Sequence, residues 1–132
     1  MAWYAMLVTF VLLPLCGLAI DGGLLFTAHR RLQMVADGAA RVGAMQLDPA
    51  AAYSDNRVAL DPAQAEAAAE AYLAGQPGVT GTARADADHI EVVAARQIVL
   101  PFERLFGRGP LQIQSLASAV PCPGIAQAEG TC

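Results

Sequence analysis

The side chains that could do chemistry are few in this chain of 132 residues, and they do not gather into a pattern. His29 and His89 have no cysteine or carboxylate at the spacing of a metal-ligand set. The Asp-Gly-Gly run at 21–23 lacks the preceding strand and the lysine of a phosphate-binding loop. Glu66 and Glu70 are expected to form a solvated helix face. We therefore predict no metal site, no cofactor and no catalytic group, so the chain is not expected to be an enzyme.

Two of the three cysteines, Cys122 and Cys132, flank a short stretch with proline and glycine near the C-terminus. With no histidine nearby, this arrangement favours a disulfide over metal ligands. A disulfide would place the C-terminal part of the chain outside the cytoplasm. The alternative is a disordered tail that carries two free thiols. Cys16 lies in an apolar run and is expected to behave as a small hydrophobic residue.

The charge balance excludes one class of partner. The net charge is −4, and all eight basic residues are arginines, which are spread along the sequence. A nucleic-acid surface needs clustered positive charge against the phosphates, so no nucleic-acid partner is expected. In contrast, 55% of the residues are hydrophobic and only 15% are charged. This excess of apolar residues must be buried against something.

Much of the excess lies in one block, residues 2–20, which contains no charged residue. About 20 apolar residues in a helix are enough to cross a bilayer, and Trp3 and Tyr4 lie at the outer end, where interfacial aromatic residues are common. A cleaved signal peptide is the rival interpretation, but no basic residue precedes the apolar run. We predict a retained membrane-spanning helix over about 2–24, kinked at Pro14.

The helical pattern continues beyond the apolar block to about residue 47, which would make the helix about 70 Å long. Apolar residues recur at spacings of three and four and form a seam along one side, while small residues allow close approach of another helix. This seam can pack on the chain's own C-terminal part or against copies and partners, and we expect both. The predicted helix-assembly interface consists of Asp21, Gly23, Leu25, Ala28, Leu32, Val35, Ala36, Ala39, Val42 and Gly43.

Asp21 lies at the end of the apolar block, where an ionisable side chain has two interpretations. It can mark the boundary with water. Alternatively, it can pair with an arginine or a terminal amine of a neighbouring chain and so set the register between helices.

The remaining chain, 49–132, is predicted to form a small α+β head on the long helix 1–48. Asp48-Pro49 ends the first helix, and 49–60 reads as a polar connector. Asp61 and Pro62 begin a second helix that runs to Gly75. Alternating apolar residues then indicate three antiparallel strands at 79–85, 89–100 and 111–120.

Two stretches of the sequence resemble a known family. Residues 14–44 (PLCGLAIDGGLLFTAHRRLQMVADGAARVGA) resemble the N-terminal segment of TadE/TadG-like proteins, the minor pilins and assembly factors of tight-adherence (Tad, Flp-type) pili. Residues 99–120 (VLPFERLFGRGPLQIQSLASAV) look like the family's C-terminal strand pair. The matching positions in the first stretch are Pro14, Leu18, Ala19, Ile20, Asp21, Gly23, Arg31, Leu32, Gln33, Ala36, Asp37, Ala39 and Ala40.

The resemblance implies a type IV pilin-like subunit, without enzymatic activity, whose inner-membrane helix is extracted into a filament by the Tad assembly machinery. Processed pilins of this kind usually have a short basic leader and a glutamate at the fifth position of the mature chain. Here that position is Ala5, so either the numbering begins on a processed chain or this member is not processed in that way.

The orientation in the membrane has conflicting signals. Arg30 and Arg31 follow the span, which by the positive-inside rule favours a cytoplasmic C-terminus. The expected disulfide and the resemblance favour the opposite. We expect an extracytoplasmic head, held at the inner membrane before assembly and at the cell surface afterwards.

Three functions follow as hypotheses. The first is a structural subunit, major or minor, of a Tad-type pilus or related surface filament, with a role in adhesion and with copies of itself or other pilins as partners. The second is a membrane-anchored scaffold of an envelope secretion or pilus-assembly complex that does not polymerise. The third is a tethered module that binds an extracellular ligand.

Overall fold

The computed structural model describes residues 2–55, 58–101, 107 and 109–121. We call residues 49–121 the head. The described helices and strands are, in chain order, α1 (Ala2–Ala44), α2 (Pro49–Asp55), α3 (Pro62–Ala74), β1 (Val79–Ala85), β2 (Ile90–Ile98) and β3 (Leu111–Ala119). The architecture is the predicted α+β arrangement of a long apolar N-terminal helix, a short helix and a three-stranded antiparallel sheet.

The first helix, α1, has 43 residues, which at 1.5 Å per residue makes it about 65 Å long. Pro14 lies inside it, as the sequence predicts. The helix ends at Ala44, a few residues before the predicted stop at residue 48. Beyond this end, Leu47 forms an isolated antiparallel bridge with Leu60. This bridge joins the end of α1 to the beginning of the head.

The polar connector predicted for residues 49–60 is wrong for its first half, which forms α2. The side chain of Asp48 accepts a hydrogen bond from the backbone N–H of Ala50 at 2.8 Å and so caps the new helix. Pro49 stands at the first helical position, where its fixed φ angle suits a helix and its missing N–H costs nothing. The backbone N–H of Asp48 also donates to the carbonyl of Ala59 at 2.9 Å. This hydrogen bond joins the two ends of the segment that contains α2.

The third helix, α3, begins as the sequence predicts. Asp61 is its N-cap and accepts a hydrogen bond from the backbone N–H of Gln64 at 3.2 Å, and Pro62 occupies the first turn. The helix ends at Gly75, whose N–H donates to the carbonyl of Ala71 at 3.2 Å. Gly75 has φ −71°, so the cap uses ordinary helical backbone rather than the left-handed conformation that favours glycine.

The three strands form an antiparallel sheet in the order β1-β2-β3. Ala83, Val92 and Ala117 face one another across the strands and are all buried. Val93, the next residue along β2, points to the opposite face and is 39% exposed. One face of the sheet is therefore covered and the other is open to solvent, which is the common arrangement for an antiparallel sheet.

The covered face carries both longer helices: α1 contacts β2 and β3, and α3 lies mainly over β1. Alanines from both helices are fully buried, so the helices lie close to the sheet and to each other. The second half of α1 and the head thus share one hydrophobic core. The largest fully buried side chains are Leu32, Leu60, Leu73, Ile90 and Val92.

Leu32 is the main anchor of α1 in this core, and its side chain is 1% exposed. We expect Leu32→Ala to destabilise the head by about 2–5 kcal/mol, because the lost transfer energy adds to the energy of the cavity left behind. Met34→Ala is the matched control, since Met34 lies two residues away on the same helix and is 64% exposed. Thermal unfolding of the purified full chain checks this: equal melting temperatures for the two variants would contradict the packing of α1 described above.

Candidate functional site

The first half of α1 is uncovered. We call residues 3–20 the uncovered segment. Every residue in it is exposed except Gly17, which is half-buried. Trp3 is 80% and Phe10 is 85% exposed. By length and composition alone, this helix can cross a membrane: the mean hydropathy of its most apolar stretch is 2.1, and none of that stretch is buried. An exposed apolar surface of this size indicates a membrane or protein partner.

The glycines of α1 fall into two groups. A Cβ atom added at Gly22 or Gly23 would meet no atom within 4 Å. A Cβ atom added at Gly43 would collide with the side chain of Ile90 and lie 2.9 Å from the carbonyl oxygen of Ala65. Gly43 therefore allows the close approach of α1 to the head, whereas nothing in the described part of the chain requires the small size of Gly22 and Gly23.

The structure places most of the predicted interface residues against the head itself. Of the predicted set, Leu32, Ala36, Ala39 and Gly43 are buried, while Leu25, Ala28, Val35 and Val42 are half-buried. Packing on the chain's own C-terminal part was one of the two expected uses of the seam, and the structure shows it. The other use, contact with a second chain, stays a prediction, and Gly23 is the exposed member of the set that remains available for it.

Asp21, the remaining member, differs from its neighbours. It is 6% exposed, whereas Ile20 is 61% exposed and Gly22 is exposed as well. Asp21 also has an interaction partner within the chain. A carboxylate next to an apolar span needs such a partner, because burying it unpaired costs several kcal/mol. Pairing of Asp21 with a neighbouring chain, one of the two interpretations from the sequence, stays a prediction.

A small polar network fixes α1 to β3. The amide nitrogen of Gln33 donates to the carboxylate of Asp37 at 3.2 Å and to the carbonyl oxygen of Leu116 at 3.3 Å. The hydroxyl of Ser115, which is 5% exposed, donates to the amide oxygen of Gln33. The network fixes the position of β3 along the axis of α1. Sequence reasoning did not single it out as a site, although Gln33 and Asp37 are both among the family-like positions and lie four residues apart.

We expect Gln33→Ala to destabilise the full chain by about 1–3 kcal/mol, because it removes the acceptor of a buried hydroxyl. Gln114→Ala is the control, since Gln114 lies beside Ser115 on β3 with an exposed side chain. Chemical denaturation of both variants measures the effect, and a Gln33 variant as stable as the control would show that the network contributes nothing.

The other residues considered for chemistry form no catalytic arrangement in the described part of the chain. Glu66 is half-buried and accepts the backbone N–H of Ala85 at 2.9 Å, which corrects the expectation of a solvated side chain. Glu70 is exposed, as expected. Among the described residues, no three histidine, cysteine, aspartate or glutamate side chains gather as they would around a metal ion. Cys122 and Cys132, the predicted disulfide, lie outside the described residues.

Together, the fold and the uncovered segment define a class of protein: a small α+β head on one long helix, whose first half is apolar, exposed and long enough to cross a membrane. Residues 1–46 match the model of the family described as "Putative Flp pilus-assembly TadE/G-like". This match confirms, over those residues, the resemblance found from the sequence. No curated protein and no solved structure gives a significant match to the chain.

Proposed function

We propose that this protein is a structural subunit of a Tad-type pilus or a related surface filament, assembled through the first half of α1. The observation that carries the proposal is the family match over residues 1–46 together with the exposure of the apolar residues 3–20. Such a surface would aggregate in water. The bilayer would cover it before assembly, and the helices of neighbouring subunits would cover it afterwards.

The glycine pair of α1 supports contact with another helix. Each glycine inside an exposed helix costs about 1 kcal/mol relative to alanine, so two in succession weaken the helix unless something else gains from them. Among the described residues, none lies within 4 Å of a Cβ atom added at Gly22 or Gly23. Small residues at such positions let the backbones of two membrane helices approach closely. We therefore propose that the surface around Gly23 packs against the α1 helix of a neighbouring subunit.

The proposed location and partners follow from this role. The chain is held in the inner membrane by α1, with the head outside the cytoplasm, and reaches the cell surface when the filament forms. Its partners are copies of itself or other pilins, and the Tad assembly machinery moves it from the membrane into the filament. The role of the filament in adhesion and the absence of enzymatic activity belong to the same proposal, and their support is the family match.

A filament subunit differs from a membrane-anchored scaffold or a tethered binding module in what covers residues 3–20. In a scaffold or a tethered module, lipid covers this segment throughout, and the chain stays in the membrane. The seam of the second half of α1 does not separate the three hypotheses, because the head already covers it.

The test is to shear the surface filaments from cells and to label them with antibodies against the head. We expect labelling along the filaments by electron microscopy, and loss of labelled filaments in a deletion strain, with recovery when the intact gene is restored. If the chain is found only in the membrane fraction while unlabelled filaments are made in normal amount, the subunit role is contradicted and the scaffold or the tethered module is favoured.

A further inference from the structure

Three basic side chains, His29, Arg30 and Arg31, follow one another on α1 just beyond its apolar half, and all three are exposed. At 100° per residue, Arg30 lies about 200° around the helix from Leu32, which faces the core. Arg30 therefore points away from the head. No carboxylate in the described part of the chain forms an ion pair with Arg30 or Arg31. Within the described part of the chain, no ion pair neutralises their positive charge.

The position of the Arg30 charge along α1 is set by Phe26. The guanidinium carbon of Arg30 lies 5.0 Å from the centre of the Phe26 ring, so the side chain extends back towards the N-terminal end of the helix. Phe26 is 61% exposed. A cation is therefore held at the level where the exposed apolar surface of α1 ends.

The distance from Trp3 to Phe26 indicates what lies at that level. The two residues are separated by 23 steps of a continuous helix, which is about 35 Å. The hydrocarbon core of a bilayer is about 30 Å thick, and the headgroups extend the total to about 40–45 Å. If Trp3 lies at one interface, the ring of Phe26 and the guanidinium of Arg30 lie in the headgroup layer of the other leaflet. Phosphate groups are the anions of this layer.

Arginine can contact an aromatic ring and a phosphate at the same time, because the ring takes the face of the guanidinium and leaves its N–H edge free. The edge can donate two parallel hydrogen bonds to phosphate oxygens. The chain as a whole has a net charge of −4, so an anionic membrane would repel it except where basic residues meet the surface. Arg30 and Arg31 lie at the level of the headgroups, where their positive charge can counter this repulsion.

We propose that Phe26, Arg30 and Arg31 form a binding site for the headgroup of an anionic phospholipid, which fixes the depth of α1 in the membrane. The proposal rests on the proposed function, because it requires α1 to span a bilayer. In this proposal the two arginines bind a lipid headgroup whichever side of the membrane the head lies on. The site is used before the subunit enters a filament, and leaving the membrane requires release of the lipid.

The test uses the full chain with its only tryptophan moved to the site, as Trp3→Phe with Phe26→Trp. The protein is reconstituted in phosphatidylcholine bilayers that contain an equal fraction of either brominated phosphatidylglycerol or brominated phosphatidylcholine, and quenching of the tryptophan fluorescence is measured. We expect stronger quenching by phosphatidylglycerol, since a basic residue at an anionic surface favours binding by about fivefold. Arg30→Gln with Arg31→Gln should bring the quenching ratio of the two lipids to about one.

The matched control is Arg41→Gln with Arg84→Gln, which changes the net charge equally but alters exposed residues farther along the chain. This variant should keep the preference for phosphatidylglycerol. Equal quenching by the two lipids in the unaltered arginine background overturns the lipid site and leaves the membrane span intact. The absence of quenching by either lipid overturns both the site and the span. If inorganic phosphate removes the preference at constant ionic strength, the site binds free phosphate and the assignment to lipid is wrong.

Discussion

Replacing Gly23 by leucine is expected to abolish filament assembly while the head stays folded. Gly23 is exposed, and nothing in the described part of the chain lies within 4 Å of the position where its Cβ would be. At its Cβ the added side chain therefore meets none of the described residues, but it holds a neighbouring helix away from the α1 backbone. Gly23→Ala should strengthen the isolated helix by up to about 1 kcal/mol, so a loss of assembly cannot be attributed to unfolding.

The measurement is the amount of sheared filament recovered from cells that produce each variant, with the amount of chain in the membrane as the reference. We expect the leucine variant to reach the membrane normally and to yield at least about tenfold less filament, which corresponds to a loss of about 1.4 kcal/mol per contact. Ala67→Leu is the control, since it places the same side chain at an exposed position of α3 in the head. A normal filament yield from Gly23→Leu would show that this surface of α1 is not the contact.

Replacing Gly43 by leucine is expected to have the opposite result: the head unfolds and the chain does not accumulate. The Cβ atom alone would collide with Ile90 and come within 2.9 Å of the carbonyl oxygen of Ala65. The carbonyl belongs to the backbone of α3, so it cannot move aside as the end of a flexible side chain could. Overpacking of a core costs about 1–3 kcal/mol for small additions, which is the effect we expect for Gly43→Ala. Leucine adds three further carbon atoms at the same point.

Thermal unfolding of Gly43→Ala and Gly23→Ala compares the two positions directly. A change of 1 kcal/mol shifts the melting temperature of a domain of this size by about 4–8 °C. We expect a lower melting temperature for the change at Gly43 and an unchanged or higher one for the change at Gly23. The same substitution in the same helix thus has opposite signs, because only one of the two glycines is packed against the head. A stable Gly43→Leu protein would contradict the placement of α1 on α3.

Much of the fold could be predicted because it depends on residues close together in the sequence, such as helix caps and periodic apolar positions. Asp61 and Pro62 are the usual first residues of a helix, and the structure begins α3 with them. The periodic seam of α1 likewise predicts a helix with one buried side. A short helix after Asp48 has the same capping chemistry, but the polar segment that begins at Pro49 favours a connector. The backbone contacts of residues 47–48 with 59–60 bracket this helix, and no local pattern in the sequence reveals them.

The candidate site was less predictable, because it depends on what covers each surface. Spacing alone shows that Leu32 and Ala36 lie on one side of α1, but not whether that side meets the head or a second chain. The contact of Gln33 with Ser115 joins residues separated by 82 positions, and no local pattern pairs them. The two kinds of glycine in α1 also look alike in the sequence. The two glycines differ in the atoms that surround them in the folded structure, and the sequence does not show which atoms these are.

Photo-crosslinking in purified filaments tests most directly whether residues 3–20 pack against other subunits. A benzophenone amino acid placed at Phe10 lies in the uncovered segment, and the same amino acid at Tyr53 lies on α2 of the head. The two positions are matched, since both are aromatic and are 85% and 92% exposed. Illumination of purified filaments should give a ladder of covalent dimers and larger products of this chain or other pilins from Phe10, and little from Tyr53. If the Phe10 probe yields only lipid adducts and uncrosslinked chain in a preparation that contains filaments, assembly through the first half of α1 is contradicted.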